Sequence, residues 1–402
     1  IPEEWSIIPL EDATVILDSR RIPLSEKDRK DRRGPFPYCG ANGIIDYIDS
    51  YIFDEEAVLL AEDGGNYMKF GNSAYLMSGK YWVNNHAHII KAKDDLVSNR
   101  FILYWLNFYD ISTYVSGSTR AKLNQESLRK IPLCLPPFPE QQKIAEILTT
   151  ADRKIELIDQ EILAAERVKK GLMQTLLTKG IGHTKFKMTE IGEMPEEWEL
   201  KNLGDSEVSQ IKMGQSPPST TYNKAGNGLP FLQGNAEFGF KYPSFTVYCN
   251  LPLKTTQPGD VLISVRAPVG AVNIANLEYC IGRGLAAIRP NPRNTDGLFL
   301  YYILNHLRVV LERISTGSTF KAIGKEQLHS LEIPFPKIAE QQKIAEILTT
   351  ADRKIELLKE KKRKAESLKK GLMQVLLTGQ VRVKVDKRDE YECLKGKTSR
   401  TP

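Results

Sequence analysis

Apolar residues between 148 and 165 recur at alternating steps of four and three: Leu148, Ala151, Ile155, Ile158, Ile162 and Ala165. After a slip of one place, Val168, Leu172 and Leu176 continue the stripe. A second stretch keeps the same phase through Leu348, Ala351, Ile355, Leu358, Ala365, Leu368, Leu372 and Leu376, with Lys362 standing in an apolar place. This spacing is that of a coiled-coil seam. Proline interrupts neither stretch; Pro139 precedes the first, and Gly180 and Gly379 follow the last turns, a start and a stop suited to helices. Each helix is predicted to run about 38 residues, roughly 57 Å at ~1.5 Å per residue. A lone helix of that length leaves its stripe wet, so the two are expected to pack on each other. An antiparallel pair puts the globular parts at opposite ends, related by a pseudo-two-fold axis. The alternative is two surface helices, each docked on its own domain.

The helices are copies. Glu140 to Leu157 reads EQQKIAEILTTADRKIEL, and Glu340 to Leu357 repeats all 18 residues, 200 positions on. KKGLMQ-Thr175-LLT is answered by KKGLMQ-Val375-LLT, Gly117-Ser118-Thr119 by Gly317-Ser318-Thr319, and Pro2-Glu3-Glu4-Trp5 by Pro195-Glu196-Glu197-Trp198. Between these fixed points the halves diverge. Tyr38 to Ile45 and Ala57 to Ala61 in the first half, and Phe231 to Asn235 and Gly259 to Ser264 in the second, are short apolar runs punctuated by Gly, Asn and Pro, which read as strands and turns. Phe101 to Asn107 and Phe299 to Asn305 read as aromatic-rich helices. The fold class is therefore α+β: two mixed α/β domains, 1–139 and 181–339, separated by two long helices, 140–180 and 340–378, with a polar tail, 379–402. Identical helices with unlike heads suggest one partner bound twice and two different targets read once each.

Charge changes this picture little. The net charge of +6 divides as −3 over 1–139, zero over 140–182, +2 over 183–339 and +7 over 340–402, so the excess sits in the last helix and tail. Any electrostatic case for nucleic acid must rest on local clusters. The five cysteines include no CxxC pair, which fits reduced thiols in a cytosol better than disulfides or zinc. There is no apolar run long enough for a membrane span, and Ile1 to Leu10 lack the order of a signal peptide. A cytoplasmic location is expected.

Taken in order, the motifs carry a resemblance. PEEW, a variable domain, a G-S-T loop, an I-P-x-P exit, then EQQKIAEILTTADRKIEL and KKGLMQ-x-LLT resemble the specificity (S) subunit of type I restriction-modification systems. The linker Gly182-His183-Thr184-Lys185-Phe186-Lys187 leading to Thr189-Glu190-Ile191-Gly192 belongs to the same likeness. It covers the chain up to about Asp386. The resemblance implies that each variable domain is a target-recognition domain reading one half of a split site in double-stranded DNA. It implies that the helices set the gap and dock two methyltransferase (modification) subunits, and that restriction subunits join the full host-defence complex. Chemistry then belongs to the partners: S-adenosylmethionine, ATP and Mg are expected on them, and no cofactor on this chain. Two other readings remain, an enzyme with a cryptic site and a scaffold that binds only protein.

For DNA contact the first candidates are Arg20, Arg21, Lys27, Arg29, Lys30, Arg32 and Arg33, since arginine bonds phosphate or grips guanine bidentately. The alternative is a solvated loop whose Asp28 and Asp31 offset the charge. Next come the G-S-T loops, with Ser118, Thr119, Arg120 and Lys122 against Ser318, Thr319 and Lys321, where backbone N–H groups and hydroxyls beside a cation suit a phosphate; a plain turn is the alternative. Asn42, Gln233, Asn235 and Arg266 are candidates for base-edge reading, although Asn and Gln also serve turns. Leu135-Pro136-Pro137-Phe138 resembles the (Asn/Asp)-Pro-Pro-(Tyr/Phe) motif of amino-methyltransferases. Leu135 replaces the polar residue that motif needs, so the segment reads as a rigid exit into the helix. His86 and His88 lack a third ligand for a metal, there is no Walker A pattern, and Lys359 to Lys364 reads as a solvated helix face.

Overall fold

The computed structural model describes residues 2–117, 121–315 and 322–384. Six candidate residues (Ser118, Thr119, Arg120, Ser318, Thr319 and Lys321) lie outside them. The chain forms two compact units, one built from Ile1–Gln160 with the chain from Glu360 onward, the other from Glu161–Lys359.

In the first unit Ala57–Ala61 lies inside an antiparallel sheet ordered Thr14–Ile16, Ala87–Ala92, Ala57–Ala61, Ala74–Met77. All five of its residues are buried. Alternation explains why the run carries no polar position. Val58 and Leu60 pack with Phe101 and Trp105 of the helix Asn99–Phe108, whereas Ala57 and Leu59 pack with Cys39, Phe53, Tyr81 and Val83 of a second sheet. That second sheet is ordered Gly43–Ile48, Arg33–Gly40, Lys80–Val83, Phe53–Asp54, and its central pair is parallel. Ser98 caps the helix by accepting from the Phe101 N–H.

The second unit repeats the plan with different residues. Val261–Ser264 lies inside the sheet Ser209–Met213, Leu285–Pro290, Val261–Ser264, Val272–Ile274. Val261 and Ile263 face the helix Gly297–His306, and Leu262 faces Leu232, Tyr279 and Ile281. Here Leu229–Leu232 and Cys280–Ile281 form the parallel pair. In each unit the chain enters and leaves its globular part through neighbouring strands: Ser6–Pro9 pairs with Pro132–Leu135, and Glu199–Asn202 with Glu332–Phe335. Cys39, Cys134, Cys249 and Cys280 are buried free thiols; burial pushes Cys39 up to about 12.

The long helices are Phe138–Lys179 and Ile338–Leu376. Each unit contains the opening half of one and the closing half of the other, and the two run antiparallel. In the first unit Asp152 pairs with Lys369 (2.5 Å) and Asp159 with Lys362 (2.7 Å). In the second, Asp352 pairs with Lys169 (2.5 Å) and Glu166 with Lys359 (2.8 Å). Numbers rise along one helix as they fall along the other. Lys362, the polar intruder in the stripe, is thus held by an aspartate. Leu148, Ile158, Leu348, Ile355 and Leu358 are buried, each contributing about 1.5–3 kcal/mol if fully removed from water. The expected continuation of the stripe through Val168 and Leu368 is corrected: these are 60% and 62% exposed. Lys169 and Lys369 face the other helix instead, because the Asp–Lys pairs set the local rotation.

The starts of the helices explain the repeated PEEW and EQQ motifs. Trp5 Nε1 donates to Glu140 (3.2 Å) and Trp198 Nε1 to Glu340 (3.0 Å). Gln141 Nε2 donates to the Pro136 and Leu96 carbonyls, and Gln341 Nε2 to those of Pro336 and Asn294. The proline-rich exits are therefore pinned to the helices they precede. Gly180, at φ +65°, closes the first helix against Trp198 and Glu340, and an added Cβ would lie 2.5 Å from the Glu340 carboxylate. Gly379 meets Pro2 in the same way in the first unit. No helix among the described residues is long and apolar enough to cross a membrane.

Candidate nucleic-acid interface

The parallel strand pair ends at the same relative place in each unit. Cys39 is paired with Val83 and Leu232 with Ile281. The next residue in each case donates its N–H back, Asn84 to Cys39 O (3.0 Å) and Gly282 to Leu232 O (2.8 Å). Asn42 and Asn235 both stand three residues past this point. Two candidates chosen from unlike surroundings thus occupy equivalent turns.

In the first unit this end gathers residues distant in sequence. Asn42 Nδ2 donates to Gly64 O (3.4 Å), Asp63 holds His86 Nδ1 at 3.0 Å, and Lys122 Nζ reaches Glu62 at 2.9 Å. The Leu123 N–H donates to Glu62 O, and Ser116 and Lys122 exchange both backbone hydrogen bonds. The base of the G-S-T segment is thereby tied to the end of the central strand. Beneath lie Arg21, 2.6 Å from Glu62, and a buried His88, whose ring nitrogens face Asp18 (2.5 Å) and Leu123 O (2.8 Å). Burial raises the Glu62 carboxyl, but hydrogen bonds from Lys122 and Arg21 outweigh it and hold it below the usual carboxylate range.

The second unit builds the same end with cations that, among the described residues, pair with no carboxylate. Gly282 and Gly284 are buried and press against Gln233; a Cβ on Gly284 would lie 2.5 Å from Gln233 O. Between them Arg283 is exposed, its N–H donating to Ser216 Oγ (3.1 Å). The Val265 N–H donates to Gly284 O, and Val265 O accepts from Ile323. Arg266, also exposed, bridges to Ala322. Gln233, Asn235, Arg266 and Arg283 thus share one end of the unit.

The basic stretch of the first unit is largely spent on the fold. Arg20 pairs with Glu55 (2.7 Å) and lies 4.5 Å over Phe53. Arg29 pairs with Asp46 (3.0 Å) over Tyr38, and Arg32 with Asp49 (2.9 Å) over Trp82. Lys30 pairs with Glu26, and Arg21 is the half-buried partner of Glu62 described above. Only Lys27 and Arg33 are exposed without a hydrogen-bond partner among the described residues. Nor is the stretch a simple loop: Glu26–Asp31 is a short helix capped by the mutual hydrogen bonds of Ser25 and Asp28, and the acids that pair with Arg20, Arg29 and Arg32 are Glu55, Asp46 and Asp49. Arg283, His86 and Asp63 were not among the sequence candidates. An arginine between two glycines was a usable signal for the first; nothing local marked the others.

A family profile described as "Type I restriction modification DNA specificity domain" matches residues 2–167 and 195–367. The chain belongs to this type I specificity family. A Methanocaldococcus jannaschii protein assigned as the type I restriction enzyme MjaX specificity subunit is 37% identical, across 96% of this chain and 95% of its own. The MjaVIII specificity subunit of the same organism is 28% identical across 96% and 94%. Among solved structures, a chain from the type I R-M system, reported for its complex assembly and conformational transition, is 25% identical. It has a TM-score of 0.56, covering 94% of this chain and 98% of that one. The type I S subunit from M. genitalium, 15% identical, shares the fold at a TM-score of 0.62 over 92% and 96%. The profile matches the chain twice, once in each half, in keeping with the repeat.

Proposed function

We propose that the two globular parts read the two halves of a split DNA site, each through the loop cluster at the end of its parallel strand pair. The observation that carries this is chemical divergence on a shared frame. The clusters occupy equivalent places and hang on the same 18-residue helix segment, yet one presents Asn42, Asp63, His86 and Lys122 and the other Gln233, Asn235, Arg266 and Arg283. Asn and Gln match adenine edges and Arg matches guanine in the major groove. Lys27, Arg33 and the hydroxyls and cations of Ser118, Thr119, Arg120, Ser318, Thr319 and Lys321 are proposed to meet phosphates. The duplicated helices are proposed to fix the gap and to dock two methyltransferase subunits, with restriction subunits joining the complex. This chain contributes no chemistry in that reading. S-adenosylmethionine, ATP and Mg belong to the partners.

The test is to assemble the chain with its modification subunits and sequence the methylated sites on genomic DNA. A bipartite motif with a constant gap is expected, and Arg283→Ala should relax one half only. A contiguous motif, or loss of specificity in both halves at once, would overturn the assignment.

A further inference from the structure

A cleft of about 700 Å³ opens in the second unit between the strand Ser209–Met213, the end of the strand Leu285–Pro290 and the short helix Lys325–His329. Its lining includes Arg289, Arg293, Lys325 and His329 and, among the described residues, no acidic side chain. Arg289 is already engaged by Asp260 at 2.9 and 3.0 Å. The side chains of Arg293 and Lys325 are exposed, with no hydrogen-bond or ion-pair partner among the described residues. His329 Nε2 is buried and also lacks a partner among them. A buried polar atom without a partner is costly, and one beside two free cations points to a missing anion.

The first unit shows how such a place is normally closed. Thr14 Oγ1 donates to Leu10 O there, as Ser209 Oγ donates to Leu203 O in the second unit. Leu10 and Leu203 likewise donate their N–H groups to Ile131 O and Leu331 O. Glu11 therefore stands where the second unit has Gly204, and Arg129 where it has His329. Glu11 lies 3.6 Å from Arg129, and Lys93 Nζ donates to the carbonyls of Glu11 and Asp12. The first unit thus consumes its cations internally. In the second, a Cβ on Gly204 would lie 2.3 Å from His329 Nδ1, so the imidazole fills the space of the missing side chain.

We propose that this cleft binds a phosphate group. A guanidinium fork and an ammonium lining one cleft beside an unpartnered imidazole nitrogen suit a multiply charged oxyanion, and the volume suits a small phosphorylated molecule. The backbone of nucleic acid is the other source of the same group. The cleft lies at the far end of the strand Leu285–Pro290 from Gly284 and Arg283, so the proposal does not depend on the reading face.

The full chain is titrated with inorganic phosphate and with AMP by calorimetry, and with a duplex by fluorescence anisotropy. Saturable binding of phosphate or AMP, weakened about tenfold or more by Arg293→Glu and by Lys325→Glu but not by Lys130→Glu on the first unit, supports a free ligand. If only the duplex responds, with the methylated motif unchanged, the DNA backbone is the source. Indifference of all three probes to both variants overturns the proposal. Gly204→Glu reproduces the first unit's arrangement and should also abolish binding. Because it crowds His329, the two exposed positions carry the test if that variant fails to fold.

Discussion

Lys169 meets Asp352 at 2.5 Å in the second unit, and Lys369 meets Asp152 at the same distance in the first. Each contact joins a residue of one repeat to its complement in the other. A tyrosine from the globular part completes both: Tyr302 Oη donates to Asp352 (2.6 Å) and Tyr104 Oη to Asp152 (2.8 Å). The aspartate therefore binds a globular domain and both helices at once.

The two locks differ in burial, and so should their energies. The Asp352 side chain is 4% exposed and that of Asp152 41%. Asp352→Ala is expected to destabilise by about 3–5 kcal/mol, as when one partner of a buried pair is removed. Asp152→Ala should cost only about 1 kcal/mol, the pair being solvent-screened. Urea unfolding of the two variants checks the order.

Two glycines, one inside the first long helix and one just past its end, should respond in opposite senses. Gly180 has φ +65° and faces Glu340 and Trp198, so Gly180→Ala is expected to lose about 1–3 kcal/mol. Gly171 lies in the interior of the helix with nothing near its missing Cβ. Gly171→Ala should stabilise by about 0.5–1 kcal/mol. A raised thermal midpoint for Gly180→Ala would contradict the first assignment, and a lowered one for Gly171→Ala the second.

Acid should act on the first unit through Glu62. Its folded-state pKa lies below the usual value of 4.5, so its contribution is present above that value and is lost as pH falls through the depressed one. Glu62→Gln is expected to lower stability at neutral pH and to flatten the pH dependence below about pH 4.5. Denaturant midpoints measured from pH 7 to 3 give both quantities, and curves that stay parallel across that range would show that Glu62 is not the titrating group.

If the helices are a ruler, lengthening them must lengthen the gap. Seven residues inserted into each keep the seam in phase and add at most about 10 Å, about three base pairs of DNA. Methylation sequencing of the reconstituted complex reads the gap directly, and an unchanged gap removes the ruler.

The repeated helices and central strands were legible because their constraints are periodic and local. Leu148 and Ala57 to Ala61 declare themselves by spacing and by uninterrupted apolarity. The ion pairs of the basic stretch from Arg20 to Arg33 were not legible, for the opposite reason. The partners of Arg29 and Arg32 are Asp46 on a neighbouring strand and Asp49 just past its end, and only folding brings them together. The PEEW motif was visible as a repeat, but its purpose was not, because Trp5 finds Glu140 across 135 positions. Val168 failed as a seam residue because hydrophobicity alone cannot register a helix once a neighbouring lysine finds a buried aspartate. Arg283 needed the parallel pair to reveal which way its two glycines present it.

The paired strands Ser6–Pro9 with Pro132–Leu135, and Glu199–Asn202 with Glu332–Phe335, mean that each head begins and finishes at a single doorway. Anything threaded between those jambs returns the backbone to the spot from which it left, so the start of the helix beyond is set by the doorway and not by the length of chain within. A head of different length fits the same socket if it keeps the tyrosine and the backbone carbonyl that grip the helix, Tyr104 and Leu96 in the first unit and Tyr302 and Asn294 in the second.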